Sequence, residues 1–421
     1  MLTDCPGNVI GELMKYKNTA YIDCGALVHN YNVIEEFVSG AVRDGRCTKK
    51  PRIICVVKAD AYGHGIEAVS DALGRAGCDF FAVSSEMEAA ELRALEENRG
   101  RHPDILILGP IDPENVGEMM RGDIICTAVS AQSARDLAAA VRIYNEENGT
   151  DMRLRIHVKL DTGMNRVGFA ADEESMAQTV SDVAALVQEE EYSRFLSTEG
   201  IFTHFACADE ELLDTALDAS EGFTSRQLKR YCAVLDALCQ RGVSFRVRHA
   251  ANSAALLRLP PAYFDAVRAG IILYGLTPNT VPDRLLKPVM RLESTVTHIH
   301  TVKKGQTVSY GGTFTADRDM TVATVAAGYA DGFLRHFSGC EVKIRSKNVR
   351  QIGRICMDQF MVDVTDCPDA SVGDRVVLFG GDDGTMIARL AEIGETIGYE
   401  IVCGVSKRVP RVTDAPDDPV L

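Results

Sequence analysis

The chain has 421 residues, 46% apolar and 25% charged, with 35 Gly and 14 Pro, enough for two domains of ordinary globular composition. Its 60 acidic residues outnumber 45 basic ones, and a formal charge of -15 argues against a nucleic-acid or anionic-membrane partner, either of which would want a basic face, while leaving room for a local basic pocket for a small phosphate. No apolar run approaches the roughly 18 residues needed to span a bilayer.

The opening MLTDCPGNVIGELMKYKN carries acids and a Pro where a signal peptide needs an apolar stretch, so a cytoplasmic protein is expected. Thirteen scattered cysteines without a CxxC pair read as reduced thiols, not as a disulfide framework or zinc site. No metal is expected. His298 and His300 share one strand face, but with no third ligand in view they read as surface histidines.

From residue 53 to 275, short β-branched runs alternate with amphipathic stretches. The runs are IICVVK (53–58), FFAVSS (80–85), ILILG (105–109), IICTAVS (124–130), RIHVKLD (155–161), GIFTHFA (200–206), FRVRHAA (245–251) and AVRAGIILYG (266–275). Many are apolar on consecutive residues, as strands covered on both faces are. Helices are expected between them, among them 86–97 with an acidic start, 130–146 headed by a Ser, and 225–241. Eight strands alternating with helices predict an α/β fold, a (β/α)8 TIM-type barrel over residues 1–285. A doubly wound open sheet is the competitor, disfavoured because no GxGxxG follows the first strand.

After about residue 285 the pattern changes to short alternating segments: STVTHIHTV, MTVATVAAG, CEVKIRS, FMVDVTD and DRVVLFG. Gly, Asp and Asn turns separate them, which predicts a mostly antiparallel β domain over 286–421 with one helix near 387–397 and a frayed tail, DAPDDPVL.

Barrel enzymes gather their chemistry at the C-terminal ends of the strands. Those ends carry Lys58, Lys159, His204, the stretch from His249 to Ser253, and Arg268. Lys58 closes a buried strand, where low dielectric favours the neutral amine that a Schiff base to an aldehyde requires. Tyr62 follows in a tight loop, while His64 and Gly65 shape the turn. Ser253 and the backbone near Gly270 and Ile271 stand where barrels hold a phosphate, although Ser253 alone reads equally as a helix N-cap.

Nine segments in order resemble the alanine racemase family over nearly the whole chain: VVKADAYGHG (56–65), VKLDTGMNRVGF (158–169), EGIFTHFACAD (199–209), HAANS, VRAGIILYG, VSYGGTF (308–314), AAGYADG (326–332), GRICMDQ (353–359) and YEIVCGVSKRVPRV (399–412). The resemblance implies a pyridoxal phosphate enzyme of fold type III that interconverts L- and D-alanine for peptidoglycan synthesis, working as a homodimer with shared sites. It implies that Lys58 carries the cofactor and is one base, with the partner's Tyr310 the other. His204 would link Tyr310 to Arg268, which faces the pyridine nitrogen. Tyr62, Asn252, Ser253, Gly270, Ile271 and Tyr399 would hold the cofactor, chiefly its phosphate. Arg166, Met357 and Tyr329 would meet the substrate, with Arg166 also at the cofactor's phenolic oxygen. Lys159 is carbamylated in many members, and an unmodified lysine is the alternative here. Asn165 stands where the family usually has Gly, beside Arg166. A serine or broad-specificity racemase is the nearest rival activity. A cofactor-binding protein without turnover is the rival from another class, and it would resemble the barrel alone.

Overall fold

The computed structural model describes residues 17–209, 222–278 and 284–413, so most of the opening segment and the DAPDDPVL tail lie outside the described residues. Two compact units emerge, one formed by Cys24–Lys287 and the other by the described residues up to Asp23 and from Pro288 onward.

The described chain opens on strand β1 (Thr19–Ile22). The barrel strands follow as β2 (Arg52–Val56), β3 (Phe80–Val83), β4 (Asp104–Ile107), β5 (Ile124–Ala128), β6 (Leu154–Asp161), a two-residue β7 (Phe169–Ala170) beside β6, β8 (Leu196–Phe202), β9 (Val247–His249) and β10 (Ala266–Ala269). All pair in parallel in the order β2-β3-β4-β5-β6-β8-β9-β10, and β10 returns to β2 through Ile54↔Arg268. The eight-stranded barrel is therefore closed.

Local chemistry sets the helices between strands. Ser85 accepts a hydrogen bond from the Glu88 amide at the head of Glu86–Asn98, and Ser130 exchanges capping bonds with Ser133 at the head of Ala131–Asn148. Leu92, Leu137 and Val141 bury one face of these helices.

Strand β6 explains why the barrel interior is partly polar. Its period of two turns Ile156, Val158 and Leu160 one way and Arg155, His157 and Lys159 the other. Near its start Arg155 bonds Asp104, Asp123 and Glu199 at 2.7 to 3.1 Å, while Arg52 takes the other oxygen of Asp104. These ions close the end of the barrel away from the site, and each is paired, as half-buried charges must be.

The second unit holds β11 (Met290–Val302), β12 (Thr307–Val308), β13 (Phe314–Thr315), β14 (Met320–Val325), β15 (Glu341–Ile344), β16 (Lys347–Ile352), β17 (Phe360–Asp363), β18 (Arg375–Phe379) and β19 (Arg411–Val412). The long β11 pairs antiparallel with β18 through residues 292–295 and with β14 through 296–302, so the sheet curls and closes on itself. Strand β1 joins this sheet beside β11 by Ile22↔Met290, whereas the sequence reading assigned it to the barrel. TAYI is four residues long, and nothing in it says which sheet it will enter. The helix expected near 387–397 is Thr385–Ile393, and a second, Gly398–Cys403, follows it. Among the described residues no helix is long and apolar enough to cross a membrane, and no three His, Cys, Asp or Glu gather for a metal. The His298 and His300 rings stack at 5.0 Å.

Candidate active site

Strand β2 is buried from Ile53 to Val56 and delivers Lys58 to the mouth of the barrel, where the chain makes an uncommon turn. Ala59, Asp60, Ala61 and Tyr62 all have φ of 53 to 54°, a left-handed turn built without glycine. Each such residue costs roughly 1–2 kcal/mol, so the surroundings must impose the turn. Glu88 does so from the helix Glu86–Asn98 of the next βα unit. One of its oxygens accepts from the Ala59 amide at 2.6 Å, the other from the Ser84 amide and hydroxyl. Asp60 accepts from the Ile66 amide at 2.7 Å, and the His64 ring bonds the carbonyls of Ala61 and Tyr62. Glu88 escaped the sequence reading. In sequence it is one of several acids on a helix, and only the fold brings it to Ala59.

The turn swings Tyr62 inward, where its ring lies 4.9 Å from that of Tyr274. A Cβ added at Gly270 would sit 2.8 Å from the Tyr62 hydroxyl and 3.3 Å from the Ser253 hydroxyl, which accepts from the Gly270 amide at 3.0 Å. Two hydroxyls and a backbone amide thus converge where only glycine leaves room, a cradle suited to a phosphate. The N-cap reading of Ser253 is overturned. Asn252 caps the helix Ser253–Arg258 by accepting from the Ala255 amide, and its NH2 donates to Phe205 O, which leaves the Ser253 hydroxyl to Gly270. Gly270→Ala should therefore weaken pyridoxal phosphate binding at least tenfold while the barrel stays folded. Titrating the visible absorbance of the unloaded variant checks this, and unchanged affinity would mean that the phosphate sits elsewhere.

Deeper in the mouth Arg268, 3% exposed, is held from several sides. Its Nη1 reaches His249 Nδ1 at 2.9 Å, and its Nη2 donates to Thr203 O and Ala250 O and meets His204 Nδ1 at 3.2 Å. Burial lowers the guanidinium to about 10. His204 is held well below its ordinary pKa by burial first and then by nearby positive charge, that of Arg268 foremost. Lys159 is pushed down to about 7 by burial first and then by Arg268, and its Nζ donates to Leu160 O.

The loop after β6 is tied by Asp161, whose carboxylate accepts from the amides of Gly163, Asn165 and Arg166 at 2.9 to 3.0 Å. Asn165 has φ 55°. Asparagine tolerates this left-handed conformation, so its replacement of the family's glycine leaves the loop intact and Arg166 exposed at the rim.

On the second unit three loops meet at one place. The Ser309 hydroxyl donates to Arg354 O, the Tyr329 amide to Cys356 O and the Ala330 amide to Met357 O. They bring together Tyr310, Tyr329 and Met357, whose side chains are 68%, 40% and 53% exposed, an unusual concentration of open apolar surface. Tyr399 lies in the first turn of Gly398–Cys403.

A closed parallel barrel, a lysine at the end of its first strand, a hydroxyl-and-amide cradle and a buried arginine define a pyridoxal phosphate-binding barrel enzyme. Residues 22–278 match the family model "Alanine racemase, N-terminal domain" and 289–413 match "Alanine racemase, C-terminal domain". The chain belongs to the alanine racemase family. It is 38% identical to an alanine racemase of Desulforamulus reducens over 403 residues, covering 95% of this chain and 99% of that protein. It is 40% identical to alanine racemase 1 of Clostridium acetobutylicum, covering 87% and 90%. Among solved structures it superposes on alanine racemase of Clostridium difficile with a TM-score of 0.81 at 34% identity, covering 96% and 97%. The alanine racemase of Bacillus anthracis with bound L-Ala-P gives a TM-score of 0.79 at 31% identity, covering 96% and 97%. A relationship to a barrel-only binding protein does not account for the second match, and these relatives favour alanine over serine.

Proposed function

We propose that the protein interconverts L- and D-alanine with pyridoxal phosphate, as a cytoplasmic homodimer supplying D-alanine for peptidoglycan. The buried Arg268 held against His204 at 3.2 Å, in a closed barrel whose mouth also carries the Tyr62–Ser253–Gly270 cradle, is the observation that carries this reading. When bound, the cofactor supplies an electron sink that makes the substrate's α-hydrogen acidic. Lys58 would anchor its aldehyde, and Tyr62, Ser253, Tyr399 and the backbone of Gly270 and Ile271 would hold its phosphate, with Asn252 capping the helix that carries Ser253. Arg268 would stand at the pyridine nitrogen, where a guanidinium does not readily surrender a proton and so would restrain side reactions. Arg166 and the Met357 backbone orient the substrate carboxylate, with Tyr329 beside them.

Racemisation requires proton carriers on both faces of the α-carbon, because a planar carbon gives its mirror image only when the proton returns from the opposite side. The Lys58 amine serves one face and the partner subunit's Tyr310 the other. Arg268 donates to His204 Nδ1, so the neutral ring carries its hydrogen on Nε2 and can donate toward that phenol oxygen. Steady-state rates with L-alanine and L-serine on one sample test the reading, and faster turnover of serine would reject it.

Lys159, held near 7, keeps a large neutral fraction at neutral pH. Its amine is therefore expected to add to CO2, losing a proton and forming a carbamate that draws Arg166 into place. Protein equilibrated with 13C-bicarbonate should show a carbamate carbon that Lys159→Ala lacks. A spectrum without that signal would assign the plain amine.

A further inference from the structure

Below Arg268 two imidazoles fill the barrel interior, and the chemistry above uses neither. His157 and His249 are both fully buried, and His157 Nδ1 lies 3.0 Å from His249 Nε2. The His249 ring stacks on Phe202 at 4.7 Å, and Phe80 meets the His157 ring edge-on at 6.3 Å, so an aromatic ring packs against each imidazole. The His157 ring also takes the place of a side chain on β8. A Cβ at Gly200 would fall 2.5 Å from its Nε2.

Hydrogen-bonding capacity fixes the direction of this line of groups. An arginine only donates, so the Arg268 Nη1 hydrogen at 2.9 Å requires a lone pair on His249 Nδ1. A neutral His249 then bears its hydrogen on Nε2 and donates it to His157 Nδ1, which must likewise be a lone pair. The single hydrogen of His157 is left on Nε2, an atom that has no hydrogen-bond partner among the described residues. A proton added to either ring would set one N–H against another, and burial holds both rings well below the ordinary imidazole range. The line therefore runs one way only.

We propose that His157 is a positioning residue, the terminal acceptor of a one-way hydrogen-bond chain from Arg268 through His249 that fixes both imidazoles as Nε2–H tautomers and sets the guanidinium at the angle at which it meets the cofactor. The inference rests on the reading that Arg268 faces the pyridine nitrogen. It explains why a histidine rather than an aliphatic residue stands in the middle of β6, with a glycine opposite it at the paired position His157↔Gly200.

The test uses the holoenzyme labelled with 15N at histidine, with His157 and His249 resonances assigned by substitution. Both rings should show the nitrogen pattern of the neutral Nε2–H tautomer. His157→Leu, which removes the acceptor, should leave His249 in the Nε2–H tautomer that Arg268 imposes but move its Nε2 resonance to that of an unbonded N–H, and should lower kcat for alanine by about tenfold, the worth of one buried hydrogen bond, with KM nearly unchanged. His157→Gln, whose amide oxygen can accept from His249, should restore the hydrogen-bonded Nε2 resonance and most of kcat. A wild-type spectrum with His249 charged or carrying its hydrogen on Nδ1 overturns the proposal, and that spectrum decides even if the leucine variant does not fold. Loss of the bonded Nε2 resonance in His157→Leu with kcat unmoved overturns it as well, because the chain would then exist without placing Arg268. A wild type that binds pyridoxal phosphate but does not racemise alanine defeats the functional reading itself, whatever the tautomers, and takes the inference with it.

Discussion

Tyr310→Phe should leave the protein folded and loaded with cofactor yet nearly without racemase activity. The substitution removes one oxygen and keeps the ring. Tyr310 is 68% exposed on its own unit, so its loss opens no cavity and stability should move by no more than about 0.5 kcal/mol. If its hydroxyl carries the proton on one face of the α-carbon, kcat should fall by roughly 10²- to 10⁴-fold, the usual worth of a placed acid–base group. The loss should be directional. Exchange of the L-alanine α-proton with solvent should stop, because the L-enantiomer presents that proton to the phenol, while D-alanine should still exchange through Lys58. Visible absorbance should be unchanged, since Tyr310 holds no part of the cofactor. Wild-type exchange of L-alanine by the variant would end the two-base scheme.

How much of this was legible in the sequence depended on whether a position obeys a local rule. The barrel was legible because β2 to β5 and β10 are buried, β-branched and separated by helical periods, and Ser85 and Ser130 mark two helix starts. Lys58, Lys159, His204 and Arg268 could be read as neighbours because each stands at or near the end of a different parallel strand, and parallel strands closed into a barrel bring those ends to one mouth. Other features depended on the third dimension. A left-handed turn at Ala59–Tyr62 runs against the preference of every residue in it, and its cause, Glu88, comes from another βα unit. The grouping of Arg155, His157 and Lys159 on one side of β6 is visible only once its alternation is followed residue by residue. The two readings of Ser253, phosphate ligand and helix N-cap, stood equal in the sequence for a related reason, since Asn and Ser can both cap a helix and only the fold shows Asn252 doing so with the Ser253 hydroxyl at Gly270.

Two inactive chains should regain activity together. Lys58 belongs to the barrel unit and Tyr310 to the other, and under the proposed mechanism both must flank one small carbon atom. A residue on a separate unit reaches a site either within its own chain or across to a second copy. The exposed cluster of Tyr310, Tyr329 and Met357 favours crossing, because so much open apolar surface is what an interface covers. The two arrangements differ in what a mixture can do. Lys58→Ala and Tyr310→Phe chains are each expected to be inactive as homodimers, since every site then lacks one of its two bases. In a mixed dimer with crossed sites, one site receives both substitutions and the other receives neither. Random reassortment makes about half of the dimers mixed, each with one intact site of two, so co-folded chains should recover about a quarter of wild-type activity if the sites act independently. Tagging the two chains differently and purifying through both tags should raise this to about half. If sites are instead completed within one chain, every site in the doubly tagged dimer still lacks a base and activity stays at the level of the separate variants. Inactive mixed dimers, with both chains demonstrably present and loaded with cofactor, would return Tyr310 to its own subunit and remove the reason for an obligate dimer.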